Sequence, residues 1–372
     1  MALGVTTEQD ELRASVQRFL ADRAPVTRVR ELMETPDGID RAVWEQAGSQ
    51  LGLQGLAIPE EYGGAGFTFA EQAIVLEELG AALYSGPYLA SAVLAAQALL
   101  ASPDESARRD LLPGIASGEV IATLAFTEDG GSWDPGAIRL AAALGDGGGW
   151  RLDGHKSFVL DGGSAGLILT VAVADGGLSL FAADADAAGL TVSVLPTLDQ
   201  TRKLARLSFE GVPGRLIGSV GDGAAVLDRV LDVAAIALAA EQLGGAQRAL
   251  DMAVEYAKVR HQFGRPIGSF QGLKHRMADL LLEVESLRSA VNYAAAAVAE
   301  GAAEVPVVAA LVKAYASETY FHVAAENIQI HGGIGFTWEH DAHLYFKRAK
   351  SSELLFGDAT YHRERLATRL EL

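Results

Sequence analysis

The stretch RHQFGRPIGSFQ, residues 260–271, is a polar break between two strongly helical segments. Upstream of it, the run from Val226 to about Val259 contains no Pro and carries Glu241, Gly244 and Gly245. Downstream, helices are expected at about 270–300 and 307–330, then a shorter pair up to Leu372. The helix at 307–330 opens just after Pro306 and stops at His331-Gly332-Gly333. Pro suits the first turn of a helix and Gly the position just past its end. Several long helices joined by short connections predict a helical bundle over 224–372.

Working outward, the texture changes upstream of the bundle. From Val120, VIATLAFTE, WRLDGHKSFVL, LILTVAVAD, LSLFAAD, TVSVLP and ARLSFEGV are short β-rich runs separated by Gly/Asp turns such as Asp146–Gly149 and Asp175–Gly177. They predict an antiparallel sheet domain over 118–223. No strand–helix alternation is present, which argues against a parallel nucleotide-binding sheet. Ahead of it, residues 1–117 read as helical, with Leu12, Val16 and Phe19 at three- and four-residue steps and further helices at Phe69–Leu83 and Tyr88–Ala101. The Gly-dense segment 51–69 between them, with Pro59, reads as a set of turns.

Composition narrows the function classes. A formal net charge of −18 argues against a nucleic-acid partner, because neutralising phosphates needs a Lys/Arg excess. The absence of Cys removes disulfides, thiolate nucleophiles and Cys-based zinc sites. His340-Asp341-Ala342-His343 has metal-binding residue types but no second converging ligand set, so no metal is expected. Charged residues stand where a signal peptide would be apolar, which leads us to expect a cytoplasmic address. The longest apolar run, around Tyr88–Ala101, is shorter than the roughly 20 residues a membrane span needs and reads as a buried helix.

Two segments carry residues suited to a bound dinucleotide. In 260–271, Arg260 and Arg265 offer planar forks of donors for a diphosphate, Phe263 offers cover for a ring system, and Gln262 and Gln271 offer amides. A plain helix-connecting loop with solvated arginines accounts for the same residues. In QIHGGIG, 329–335, two adjacent glycines allow positive φ and let a ligand approach the backbone; a simple helix cap has the same pattern. No G-x-G-x-x-G or G-x-x-x-x-G-K-[ST] motif is present, so a dinucleotide would not be held in a Rossmann or P-loop manner.

The spacing of these segments, their helical setting and the helix–sheet–helix order resemble the acyl-CoA dehydrogenase family over nearly the whole chain. IPEEYGGAGFTFAEQAIVLEELG at 58–80, AFTEDGGSWDP at 125–135 and HKSFVLDGG at 155–163 resemble that family's motifs in its first and middle domains. The resemblance implies an α+β architecture: an all-helical first domain, an antiparallel β-barrel-like middle domain and a C-terminal four-helix bundle. It also implies a dimer or dimer of dimers, homomeric or heteromeric, with FAD across a subunit boundary. By the same resemblance Arg260 and Phe263 would reach the FAD of a neighbouring subunit with Gln271 nearby, and Gln262 is counted with them as cofactor-binding. Gln329, Gly332 and Gly333 would meet its adenosine-diphosphate half, and Thr127 and Phe158 would face the flavin.

The family reaction is α,β-dehydrogenation of an acyl-CoA thioester, with a carboxylate taking the α proton, hydride leaving to flavin, and electrons passing to an electron-transfer flavoprotein. Both positions where the family places its catalytic Glu are empty here, held by Phe356 and Ala234, and Leu160 replaces a Thr that commonly bonds the flavin. Glu241, two helical turns after Ala234 in an apolar run, is one candidate base if it is buried and unpaired. Asp358 is the other. The alternative is a base-less, FAD-binding partner subunit of a mixed oligomer, an arrangement found in steroid-degrading systems and compatible with a bulky acyl-CoA.

Overall fold

The computed structural model of the protein describes residues 6–145 and 147–372. The first residues of the N-terminal reading, Met1–Val5, and Asp146 of the expected 146–149 turn lie outside the described residues. The chain opens with α1 (Thr7–Arg23), α2 (Val26–Leu32) and α3 (Arg41–Leu51). The turns at 52–68 enclose one 3-10 turn at Glu60–Tyr62, followed by α4 (Phe69–Ala81). The expected helix at Tyr88–Ala101 is a buried π-helical stretch, Leu89–Ala95, that continues as α5 (Ala96–Ala101). α6 (Glu105–Ser117) closes this region.

Seven strands follow: β1 (Ala122–Ala125), β2 (Ala141–Leu144), β3 (Trp150–Leu160), β4 (Leu167–Ala174), β5 (Gly177–Asp184), β6 (Leu190–Leu195) and β7 (Leu204–Ile217). They close into a barrel through the ring β4, β2, β3, β7, β5 and back to β4, with β1 also on β4 and β6 on β7. The sheet is mixed, which corrects the antiparallel expectation. Both β1 and β2 run parallel to β4, at Leu167–Thr170 and at Val173 respectively. No tight hairpin joins either strand to β4, so nothing local enforces an antiparallel pairing. β1 is buried along its whole length and β4 along nearly all of it, the pattern of strands covered on both faces. The Ser91 hydroxyl of the π-helical stretch accepts the Ala122 N–H at 3.0 Å.

The rest of the chain is helical: α7 (Gly223–Val259), α8 (Gln271–Ala299), α9 (Val305–His331), α10 (Ala342–Leu354) and α11 (Ala359–Arg369). Between α7 and α8 stands a miniature hairpin, β8 (His261–Gln262) with β9 (Arg265–Pro266). No helix among the described residues is long and apolar enough to cross a membrane.

Two compact units result. One comprises the chain up to Val29, Phe69–Tyr84 and Ala235–Leu372; the other comprises Arg30–Thr68 and Ser85–Ala234. In the first, α9 packs against α8, α10 and α11, and α4 packs against α1 and α8. The glycines of α4 and α7 are dictated by packing. A Cβ at Gly244 would fall 1.7 Å from the Glu77 carbonyl oxygen, and one at Gly80 would fall 2.0 Å from that of Glu241. Helix backbones in such contact tolerate no side chain between them, which outweighs the helix cost of Gly, about 1 kcal/mol against Ala. Around this crossing, Arg13 pairs with Glu77 at 2.7 Å and also with Glu78, while Arg288 bonds Glu77 and, at 2.8 Å, the Gln247 amide oxygen.

Candidate functional site

The expected loop at 260–271 is ordered by hydrogen bonding. β8 and β9 pair across a two-residue turn in which Phe263 and Gly264 both have positive φ, 53° and 75°. Two positive φ values are what a tight primed turn requires. Gly accepts this freely, whereas an aromatic residue does so at a cost. The result is a Phe263 side chain 92% exposed at the hairpin tip, with Arg260, Gln262, Arg265 and Gln271 exposed around it. Arg265 stacks over the Phe270 ring at 4.1 Å, which stiffens the base of the hairpin.

The second segment lies against the same scaffold. Ile330, near the end of α9, joins Ala253 and Ala257 of α7 in a small core, and Ile267, Leu273 and Met277 pack on it. The His331 ring stacks on Tyr256 at 4.3 Å and meets His340 at 4.2 Å, so three rings back the Gly332–Gly333 turn. Gln329 is exposed, as are Gly332 and Gly333, and a Cβ at either glycine would meet nothing within 4 Å. The 260–271 and 329–335 segments are thus mounted on one apolar cluster, with open glycines in one and exposed cations and amides in the other. Sequence reading did not detect the ring stack, whose members are distant in the chain.

Thr127 and Phe158 are brought together in the other unit, where the Ser157 N–H donates to the Thr127 carbonyl at 2.9 Å. Phe158 sits at an irregularity in the β3/β7 register, with φ of 57°, and is partly exposed; Thr127 is buried. Lys156, between them in the bonding pattern, is fully buried, its Nζ 2.9 Å from Glu128 Oε1 and 3.0 Å from the Phe126 carbonyl. Burial pushes the Lys156 ammonium down to about 8. Burial works to raise the Glu128 carboxyl, but hydrogen bonds from the Arg139 N–H, Lys156 and the Leu140 N–H outweigh it and hold it below the usual range. Asp129 is held at about 2 by hydrogen bonds from Arg206 and then from Ser157.

The two candidate bases are found in structural roles. Glu241 is buried, but it is paired: Arg348, itself buried in α10, donates to Glu241 Oε1 at 2.7 Å. The expectation of a buried, unpaired carboxylate is therefore corrected: Glu241 is buried and held in an ion pair with Arg348. Asp358 is exposed and caps α11, accepting the Tyr361 N–H at 2.8 Å. A carboxylate engaged in a helix cap has its acceptor oxygen committed to the backbone.

The vacant positions are filled by apolar packing. Ala234 is 0% and Phe356 4% exposed. Phe356, with φ of 62°, and Gly357 form a tight turn held from two sides. Buried Lys313 donates to the Glu353 and Gly357 carbonyls, both at 3.1 Å, and His362 Nε2 donates to the Phe356 carbonyl at 3.0 Å. Leu160 is buried, and its carbonyl accepts the Thr123 hydroxyl at 2.6 Å.

Models of the acyl-CoA dehydrogenase N-terminal, middle and C-terminal domains match residues 6–119, 123–212 and 221–371. Acyl-CoA dehydrogenase IpdE2 of Mycobacterium tuberculosis is 39% identical over 350 residues, covering 94% of this chain and 92% of its own length. Among solved structures, a variant of the Tcur3481–Tcur3483 steroid ACAD has a TM-score of 0.89 at 34% identity, covering 100% of this chain and 99% of its own. The ChsE4–ChsE5 complex from Mycobacterium tuberculosis has a TM-score of 0.90 at 32% identity, with the same coverage of 100% and 99%. With all three domain types matched in order and a relative this similar over nearly its full length, the chain belongs to the acyl-CoA dehydrogenase family of oxidoreductases.

Proposed function

We propose that this chain is the FAD-holding, base-less subunit of a cytoplasmic, mixed-oligomer acyl-CoA dehydrogenase, in which another chain contributes the proton-abstracting carboxylate. The carrying observation is the Glu241–Arg348 pair. The best-placed carboxylate is neutralised within the fold, and both family base positions are apolar and buried.

The residues present fit FAD. Arg260 and Gln262 on the exposed hairpin would hold the cofactor of a neighbouring subunit through phosphate and amide contacts, and Phe263 at its tip would cover an apolar ring face. Gln271 stands at the first turn of α8 to add a side-chain amide. Gln329, Gly332 and Gly333 would cradle the adenosine-diphosphate half, where bare backbone permits close approach. Thr127 and Phe158 would face the flavin ring from the barrel. Bound there, FAD supplies the hydride acceptor for α,β-dehydrogenation and the store from which an electron-transfer flavoprotein draws electrons. The chain's part is to bind and orient this group and to line the site with apolar side chains.

A bulky acyl-CoA, such as a steroid-derived thioester, is the substrate class we favour, since a similar solved structure is a steroid ACAD. Another, the ChsE4–ChsE5 complex, joins two differently named chains. The test is co-expression with a homologous chain that has its Glu in place, followed by anaerobic titration with acyl-CoA. The flavin absorbance should bleach in the mixed oligomer only. A colourless protein that takes up no FAD, alone or with such a chain, defeats the reading.

A further inference from the structure

We propose that Lys156 and Asp129 are positioning residues that lock Thr127 and Phe158 into a single fixed surface for the flavin. This rests on the FAD reading above. Successive residues of a strand point to opposite faces, so His155 and Ser157 of β3 project from one face and Lys156 from the other. Both faces grip the same short segment, residues 126–129, which directly follows β1. From the buried face, Lys156 Nζ holds the Phe126 carbonyl at 3.0 Å and the Glu128 carboxylate at 2.9 Å, bracketing Thr127 on both sides. The same Glu128 oxygen accepts the Arg139 and Leu140 N–H groups, each at 2.8 Å. From the other face, the Ser157 hydroxyl bonds Asp129, and His155 Nε2 lies 3.0 Å from it. Arg206 of β7 completes the arrangement with two hydrogen bonds to Asp129, each 3.0 Å. Between the two grips, the Ser157 N–H meets the Thr127 carbonyl.

Four consecutive residues are thereby fixed by three consecutive residues of β3, and the next residue is Phe158. Its left-handed backbone, costly for an aromatic, persists only where the surroundings over-determine it. The clasp supplies that constraint. A lysine with no exposed surface is expensive to bury, so a purely decorative role does not account for it. Held this way, Thr127 cannot shift relative to Phe158.

Asp129→Asn and Lys156→Met in the full chain test this, with wild type as control. Three readouts are taken: FAD affinity by equilibrium titration, the visible circular dichroism of the bound flavin at saturation, and amide hydrogen exchange of 126–131. Each variant should raise the FAD Kd about tenfold, as expected when a charge-assisted hydrogen bond that shapes the site is lost. Each should also alter the flavin dichroism and speed exchange in 126–131 about tenfold, leaving α8 unchanged. Wild-type Kd and dichroism in the variants overturn the proposal, even if exchange quickens, because the clasp would then be structural only. A wild type that takes up no FAD overturns the flavin reading itself, a result distinct from FAD binding that the variants leave untouched. Should Lys156→Met fail to fold, Asp129→Asn decides, since that carboxylate is half exposed and the amide preserves its shape.

Discussion

Lowering the pH from 7 to 5 should destabilise this protein through one histidine by about 2 kcal/mol. His362 is 4% exposed, and its Nε2 donates to the Phe356 carbonyl, so the remaining proton site is Nδ1. That nitrogen is buried without a hydrogen-bond partner among the described residues. Protonating it places a charged, unmatched N–H in the interior beside Lys313. Burial first, and the Lys313 charge second, accordingly push the imidazole down to about 3. The unfolded chain titrates near 6.5, so between these values it binds more protons than the folded chain, and stability falls as the pH drops through the window. At pH 5 the gap from 6.5 is about 1.5 units, worth about 2 kcal/mol at 1.36 kcal/mol per unit. The full shift would cost about 5 kcal/mol near pH 3. Urea unfolding at pH 7 and pH 5, on wild type and His362→Gln, isolates the effect from the carboxylates, because Gln keeps a donor for the Phe356 carbonyl but does not titrate. The variant should lose about 2 kcal/mol less than wild type across the interval. Equal losses in the two proteins would show that His362 is not the group responsible.

Arg348→Met removes the guanidinium from the buried Glu241 carboxylate, and urea unfolding should show a loss of about 3–5 kcal/mol. Gly244→Ala drives a methyl group into the Glu77 carbonyl, so calorimetry should show destabilisation of at least about 1–3 kcal/mol, the usual range for overpacking, despite the better helix propensity of Ala. Phe263→Ala removes an exposed side chain and should stay within ~0.5 kcal/mol of wild type in stability. If the hairpin tip covers a ring of FAD, the same variant should weaken FAD binding about tenfold by titration, the factor given by roughly 1.4 kcal/mol of lost contact.

Much of the architecture was legible because burial writes a period into the chain. The runs WRLDGHKSFVL and LILTVAVAD became β3 and β4 almost residue for residue, and Pro306 and Gly332 bounded α9 as their backbone preferences require. Strand direction left no such mark, since the apolar pattern of β1 is the same whichever way its neighbour runs. β2 was missed because Ala141-Ala142-Ala143-Leu144 favours helix locally and becomes a strand through pairing with β3 and β4. The hairpin at 261–266 escaped notice because its turn holds Phe263, where Asn, Asp or Gly is the usual signal.

At the candidate site, residue types were legible in the sequence and side-chain pairings were not. Arg260 and Phe263 stood out in a loop richer than a turn needs, while Gln329 and the Gly332–Gly333 pair fitted a simple helix cap equally well. Glu241 stood out for the wrong reason: a carboxylate in an apolar run looks unpaired until Arg348, 107 residues further on, is folded against it. Lys156 gave no signal either, because a lysine in an alternating strand reads as solvent-facing, and only the fold reveals Glu128 waiting for it.

We propose that this chain holds flavin yet supplies no base of its own. Anaerobic absorbance of the isolated, FAD-loaded protein mixed with acyl-CoA thioesters, including a steroid-derived one, tests it most directly, alongside Glu241→Gln, which keeps a hydrogen bond to Arg348. An oxidised flavin spectrum should persist in both proteins. Rapid bleaching in wild type that is lost in Glu241→Gln would contradict it and restore Glu241 as the base.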